Sequence, residues 1–223
     1  MKTSSTADIV KVLEKNNELL RIKYQVDPYL EMAEIQRRIY RDNGPAILFE
    51  NVKDCQFQCI SNIYGTTKRA KLLFKKTYKA VRSIISAKGN PIGLLKHPLG
   101  AMQALVTAGY GLPLKAPNSV APVMQCKAKL EDLPQIVSWP MDGGAYITLP
   151  QVYSEHPDHI GNPFKSNLGM YRIQMSGNEY IKNKEIGLHY QIHRGIGVHQ
   201  KLYNDRKKPF KVAIFIGGSP SMA

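Results

Sequence analysis

The chain has 223 residues, 31 Lys and Arg against 17 Asp and Glu for a net charge of +14, and three cysteines. That length buries the core of one large domain or two small ones, and Cys55, Cys59 and Cys126 are too few and too irregularly spaced for a disulfide framework. A start resembling a signal peptide and an apolar run of bilayer length are both missing, so a reducing, cytoplasmic setting is the expectation.

In chain order, Thr6 or Asp8 is placed to cap a first helix carrying Ile9, Val10 and Leu13 on one side, and "ELLRIKYQVDP" then alternates into a strand ending at Pro28. "YLEMAEIQRRIYRDNG" sets Met32, Ile35 and Ile39 at helical spacing and stops at Asn43-Gly44. "PAILFENV" follows as a short apolar strand. "CQFQCI" alternates like a strand, and without a second Cys pair or a His at zinc-ligand spacing both cysteines are read as packing residues. "FQCISNIYG" closes at a glycine turn. Residues 67–107 are mostly helical in pattern, interrupted by "KGNP" and "KHPLG".

"GYGLPLKAPNSVAP", residues 109–122, is the best linker candidate. After it the signals turn to strands: "PVMQCKAK", "GGAYITLPQVY", "NLGMYRIQM", "EIGLHYQIH" and "FKVAIFIGG". A turn at Gly177-Asn178 links two of them, and "GIGVHQKLYNDRK" is the one convincing helix. The fold class expected is α+β, with a mixed α/β amino-terminal domain over 1–115 and a β-rich, barrel-like binding domain over 116–223.

The positive charge invites a nucleic-acid reading, since Lys and Arg gain affinity by releasing phosphate counterions. Yet the basic residues fall in short separate groups, and none forms a recognisable reading helix, zinc finger or stacking platform. Solvated helix faces are the plainer account, with docking to an anionic substrate, cofactor or membrane surface as the alternative. His189 and His193 are four apart but sit in strand-like sequence without an accompanying Glu, so the metalloprotease pattern is missing. In "HRGIGVHQ", Arg194 precedes Gly195 and Gly197 at an apparent helix start, where free N–H groups and a guanidinium suit a phosphate. "PMDGGAY", residues 140–146, is explained by a tight connection. These residues alone describe a two-domain protein with a candidate phosphate-binding turn.

Seven segments in order, "VDPYLEMAEIQRRI", "GPAILFENV", "SNIYGTTKRA", "DLPQIVSWPMDGGAYIT", "NLGMYRIQ", "HRGIGVHQ" and "VAIFIGGSP", resemble the amino-terminal half of the UbiD family of non-oxidative aromatic-acid decarboxylases. The resemblance implies prenylated FMN in a split-barrel-like flavin-binding domain, its phosphate bridged by a divalent metal, typically Mn2+, with K+ nearby. Carried over by position, Asn167 matches the amide metal ligand, and Met170, Tyr171 and Arg172 match a cofactor-lining segment. Arg172 is the anchor for a substrate carboxylate and the catalytic candidate. His189, Tyr190, Gln191, Arg194 and Gly195 match a second cofactor segment. Where some members have a metal-binding His, this chain has Arg194, which favours phosphate over metal there.

The resemblance further implies a substrate such as 3-polyprenyl-4-hydroxybenzoate in quinone biosynthesis, with small phenolic acids as the alternative. Family members are about twice as long, homo-oligomeric, and carry their metal-binding Glu and acidic proton-transfer residues beyond the segments matched here. The expectation is thus an incomplete site on a fragment, a decayed copy, or a split subunit with a carboxy-terminal partner subunit. The rival class is a basic flavin- or nucleic-acid-binding module without catalysis. Asn167 and Arg172 face opposite sides of one continuous strand. A shared site therefore requires Asn167 to lie in the loop entering the strand, or Gly169 to permit a bulge.

Overall fold

A computed structural model describes residues 5–75, 117–119 and 121–219, together with 78, 81, 82, 85, 102 and 106. The breaks at "KGNP" and "KHPLG" and most of the 109–122 linker lie outside the described residues. By internal contacts the chain divides into one unit formed by Met1–Gly65 with Ala128–Ala223 and another formed by Thr66–Lys127.

The first unit opens with α1, Thr6–Lys15. Its cap is Ser5 rather than Thr6 or Asp8: the Ser5 hydroxyl accepts the Asp8 N–H at 3.2 Å, which makes Asp8 the third residue of the helix. β1, Leu19–Val26, runs parallel to β2, Ala46–Val52, and α2, Glu31–Arg41, makes the crossover. The β1–β2 register slips between Ile22 and Gln25. β3, Cys59–Ser61, pairs antiparallel with β2 and completes a three-stranded sheet. Ile22, Val26, Ile47, Phe49 and Val52 are buried on it with Met32, and Ile35 and Ile39 of α2 pack against them. The helical spacing of those three residues is what turns that stripe toward the sheet.

"CQFQCI" does not form one strand. Cys55 sits in a turn, where its Sγ accepts the Phe57 N–H at 3.3 Å, and only Cys59 enters the ladder. Both thiols pack against the same core, as expected, and burial pushes the Cys59 thiol up to about 12, which disfavours thiolate.

The remainder of this unit is two further three-stranded sheets. β4, Tyr146–Ile147, pairs with β7, Arg172–Gln174, which pairs with β8, Gly187–His189. β5, Gln151–Glu155, lies between β6, Ser166–Met170, and β9, Val212–Phe215. The helix α4, Gly195–Asp205, follows β8. Val152, Ile173 and Ile196, one each from β5, β7 and α4, form the buried centre that joins the two sheets. β7 and β8 are linked through Gly177 and Asn178, both at positive φ, as the expected turn requires. "PVMQCKAK" is not a strand: Pro122–Met124 is a single 3-10 turn, since the proline withholds a ladder donor there. Small sheets with helices alongside make this an α+β fold.

The second unit contributes α3, Thr67–Leu73, whose Thr66 hydroxyl accepts the Arg69 N–H at 3.2 Å. Among the described residues no helix is long and apolar enough to cross a membrane.

Candidate cofactor-binding site

The segment "SNLGMYRIQM" is two strands, not one. Register from Ser166 to Met170 along β5 is unbroken, so Gly169 forms no bulge and Asn167 lies inside the ladder opposite Ser154. The chain changes sheets at Tyr171, and Arg172 opens β7 opposite His189. Both routes expected for bringing Asn167 and Arg172 together are thus replaced by a third, in which the parity of a single strand ceases to apply.

The β7–β8 pairing brings the two predicted segments to one place. Met170, Tyr171 and Arg172 from one side and His189, Tyr190, Gln191 and Arg194 from the other, with Gly169, line an open pocket of about 480 Å3. His193 lies past the end of β8, in the turn before α4, and shares no strand face with His189.

Arg172 is exposed but restrained. Its guanidinium carbon lies 4.4 Å from the centroid of the Tyr146 ring, and a terminal nitrogen lies 3.9 Å from Asp142 Oδ1. Asp142 is itself fixed, because its Oδ2 accepts the N–H groups of Ser138 and Trp139 at 3.2 and 3.1 Å. The Tyr146 ring also meets His189 edge-on at 6.5 Å. Cation–π contact and the carboxylate together hold the guanidinium fork toward the pocket side of β7. In the sequence "PMDGGAY" reads as a turn alone. The signal available there is an aromatic four residues after an acid, within a segment that already resembles the family.

Asn167 stands one hydrogen bond behind the pocket lining. Its Nδ2 donates to Tyr171 Oη at 3.0 Å, and that hydroxyl lies 3.3 Å from Asn167 Oδ1. On the other side it abuts the start of α4, where an ideal Cβ on Gly195 would lie 2.4 Å from Asn167 Oδ1. Gly197 is equally constrained, since a Cβ there would lie 2.2 Å from the Ile192 carbonyl oxygen. Two glycines therefore let the helix begin tight against β6. Arg194 is the N-cap of α4 and makes no side-chain cap; its Nε donates to Gln191 Oε1 at 3.2 Å.

Deeper in, Tyr190 Oη bonds Gln200 Oε1 of α4, and burial holds the Tyr190 phenol above its ordinary pKa. His199, buried on α4, lies with Nδ1 3.0 Å from the buried Ser154 Oγ. Burial first, then the charge of the nearby His156, holds the His199 pKa below its ordinary value, so the ring stays neutral. A smaller cavity of about 290 Å3, lined by Asp27, Lys53, Asp54 and Ser176 among others, holds none of these residues.

The donor set fits a phosphate at the head of α4, where the first-turn N–H groups and Arg194 converge. For a metal it offers one neutral amide oxygen, Asn167 Oδ1. Among the described residues no group of three His, Cys, Asp or Glu could hold an ion.

Comparison with known proteins agrees with this arrangement. Residues 10–88 match the family model for the 3-octaprenyl-4-hydroxybenzoate carboxy-lyase N-terminal domain, and residues 114–223 that for the Rift-related domain of the same carboxy-lyase. The chain is 35% identical over 226 residues to a Chlamydia caviae protein, covering 99% of this chain and 36% of the relative. It is 32% identical over 222 residues to a 4-hydroxybenzoate decarboxylase polypeptide of Chlamydia pneumoniae, covering 95% and 35%. Among solved structures, the closed form of Sedimentibacter hydroxybenzoicus vanillic acid decarboxylase superposes with a TM-score of 0.78 at 21% identity, over 100% of this chain and 44% of that one. An evolved dimeric form of the UbiD-class enzyme HmfF from Pelotomaculum thermopropionicum, in complex with prFMN, gives 0.73 at 21% identity, over 98% and 45%. At that identity the structures speak for the fold. The chain spans little more than a third of the length of these curated relatives.

Proposed function

Because the chain belongs to the UbiD carboxy-lyase family, we propose that it supplies the flavin-binding portion of a non-oxidative decarboxylase acting on a hydroxyaryl carboxylate. The observation that carries this reading is the convergence of residues 169–172 and 189–194 on one pocket, with Arg172 pre-set by Asp142 and Tyr146. In this reading residues 1–115 are the amino-terminal domain, and 116–223 form a split-barrel-like domain around prenylated FMN.

Prenylated FMN, when bound, supplies the electron sink for carbon dioxide loss from an aromatic carbon. The chain's own residues do the rest of what is proposed. Arg194 and the first-turn N–H groups of α4 hold the flavin phosphate. Asn167 lends its amide oxygen to a divalent cation such as Mn2+, whose other oxygens come from phosphate, water and groups outside the described residues. K+ is placed nearby by the same resemblance. Met170, Tyr171, His189, Tyr190 and Gln191 line the flavin, and Gly195 keeps the helix close.

Arg172 binds the substrate carboxylate as a bidentate fork. Decarboxylation replaces that carboxylate with a proton on the same carbon, so a general acid must reach it. No carboxyl group lines the pocket among the described residues, and Asp142 is occupied with Arg172 and two backbone N–H groups. We therefore assign proton delivery to a carboxy-terminal segment or partner subunit, with a homo-oligomer as the complete assembly and the cytoplasm as its setting. The substrate proposed is 3-polyprenyl-4-hydroxybenzoate in quinone biosynthesis. Small phenolic acids are the second reading, favoured by the likeness to the 4-hydroxybenzoate decarboxylase of Chlamydia pneumoniae.

Co-expression with a flavin prenyltransferase in the presence of manganese, followed by absorption spectroscopy of the purified protein, tests this. A retained, modified flavin that is lost in Asn167→Ala is the expected result. Failure to retain flavin, both alone and with the product of an adjacent reading frame, would overturn it.

A further inference from the structure

The positive charge of this chain is concentrated in one place. Eleven of the 31 Lys and Arg, and none of the 17 Asp and Glu, fall within Thr66–Lys127, the segment that also separates as its own compact unit. No acidic residue occurs between Asp54 and Glu131. The excess charge and the structural boundary thus coincide.

The same unit exposes apolar side chains in helical positions. Tyr78, Val81 and Ile85 are 47%, 46% and 66% exposed, and Arg82 is exposed beside them. All four are helical, and their spacing of three, four and seven places them on one helix face. On α3 the buried Arg69 and Leu73 face inward, whereas Lys68, Lys71 and Lys75 are exposed. Further along, Met102 and Val106, four apart and helical, are 63% and 56% exposed.

We propose that this unit docks on an anionic lipid bilayer surface, with Tyr78, Val81 and Ile85 entering the interface and the surrounding Lys and Arg meeting lipid headgroups. Charge complementarity selects the occupant: a unit with eleven cations and no anion is attracted to a negatively charged surface from any approach. The exposed apolar face selects a bilayer over a nucleic acid, because phosphate binding by counterion release makes no use of Val and Ile, and Tyr78 is a single ring rather than a stacking platform. A lipid interface takes both components at once, with apolar side chains at the acyl boundary and basic ones among the headgroups. The inference stands on this unit alone and does not depend on the decarboxylase reading.

The test is flotation of the full chain with vesicles of phosphatidylcholine alone or with about one-third phosphatidylserine. Binding is expected only to the anionic vesicles, with loss at about 1 M salt, where the screening length falls to about 3 Å. The paired substitution Val81→Asp and Ile85→Asp is expected to weaken partition at least about tenfold, as removal of two partly inserted apolar groups requires. Lys71→Glu with Lys75→Glu, both at exposed positions, is expected to do the same, and circular dichroism checks that each variant stays folded. Equal binding to neutral vesicles, or no binding to either kind, overturns the proposal. So does binding that charge reversal abolishes but Val81→Asp with Ile85→Asp leaves unchanged, or preferential capture by RNA or by an acidic protein at the same salt.

Discussion

Asn167 and Gly195 meet so closely that no side chain fits between them: an ideal Cβ on residue 195 would lie 2.4 Å from Asn167 Oδ1. The contact ties the β6 ladder to the first turn of α4, and it fixes an amide beside the helix end where a phosphate is proposed to sit. Gly195→Ala is expected to push Asn167 out of place and to cost about 1–3 kcal/mol of stability. Urea denaturation reads the stability, and flavin retention reads the displaced amide. Gly169→Ala, whose Cβ would lie 3.2 Å from the Tyr171 ring, is the milder control.

Tyr171 orients Asn167 through its hydroxyl. Tyr171→Phe keeps the ring in its apolar surroundings and frees the amide to rotate. Its expected cost in stability is about 1 kcal/mol, and its expected effect on manganese affinity in the flavin-loaded protein is about tenfold or more. Titration of manganese into wild type, Tyr171→Phe and Asn167→Ala should rank them in that order. Equal affinities would remove Asn167 from the metal shell.

Arg172 depends on both its fork and its neighbours. Arg172→Lys retains the charge but loses the planar stack on Tyr146 and bidentate geometry. Binding of 4-hydroxybenzoate to the flavin-loaded protein is expected to fall about tenfold in Arg172→Lys and by more in Arg172→Ala. Asp142→Asn should leave the ring contact and weaken binding less than either. Fluorescence titration checks the series.

His199 provides a pH test independent of cofactor. Its pKa is held below the ordinary value by burial and then by His156, so the unfolded chain takes up a proton at pH values where the native ring does not. The resulting stability is fully present above the unfolded value of about 6.5 and is lost as pH falls through the native one. His156 and Ser154 face this ring directly, and the Asp158–Arg206 ion pair at 2.6 Å lies beside His156. His199→Gln is expected to flatten the decline in the urea midpoint between about pH 7 and about pH 5. An unchanged slope would assign that decline to other groups.

Much of this was legible from residue order. Strands with one buried face announced themselves through alternation, and α2 through Met32, Ile35 and Ile39, because a single period decides which side faces the core. The two cofactor segments were found by resemblance, and the β7–β8 pairing puts them together. The sheet change at Tyr171 was not legible: "SNLGMYRIQM" is apolar enough for one long strand, and nothing local distinguishes a strand that continues from one that crosses to a neighbouring sheet. Asp142 escapes notice for a related reason. Its partner Arg172 is distant in sequence, and short-range chemistry already gives the carboxylate a complete role in a turn.

The crossing at Tyr171 has a consequence for how such a site can diversify. Asn167 is anchored by β5 and α4, and Arg172 by β4 and β8, so substitutions that retune one anchorage leave the other largely undisturbed. A lineage could alter which carboxylate is grasped without re-optimising the grip on phosphate and metal, and a single tyrosine marks the seam between the two tasks.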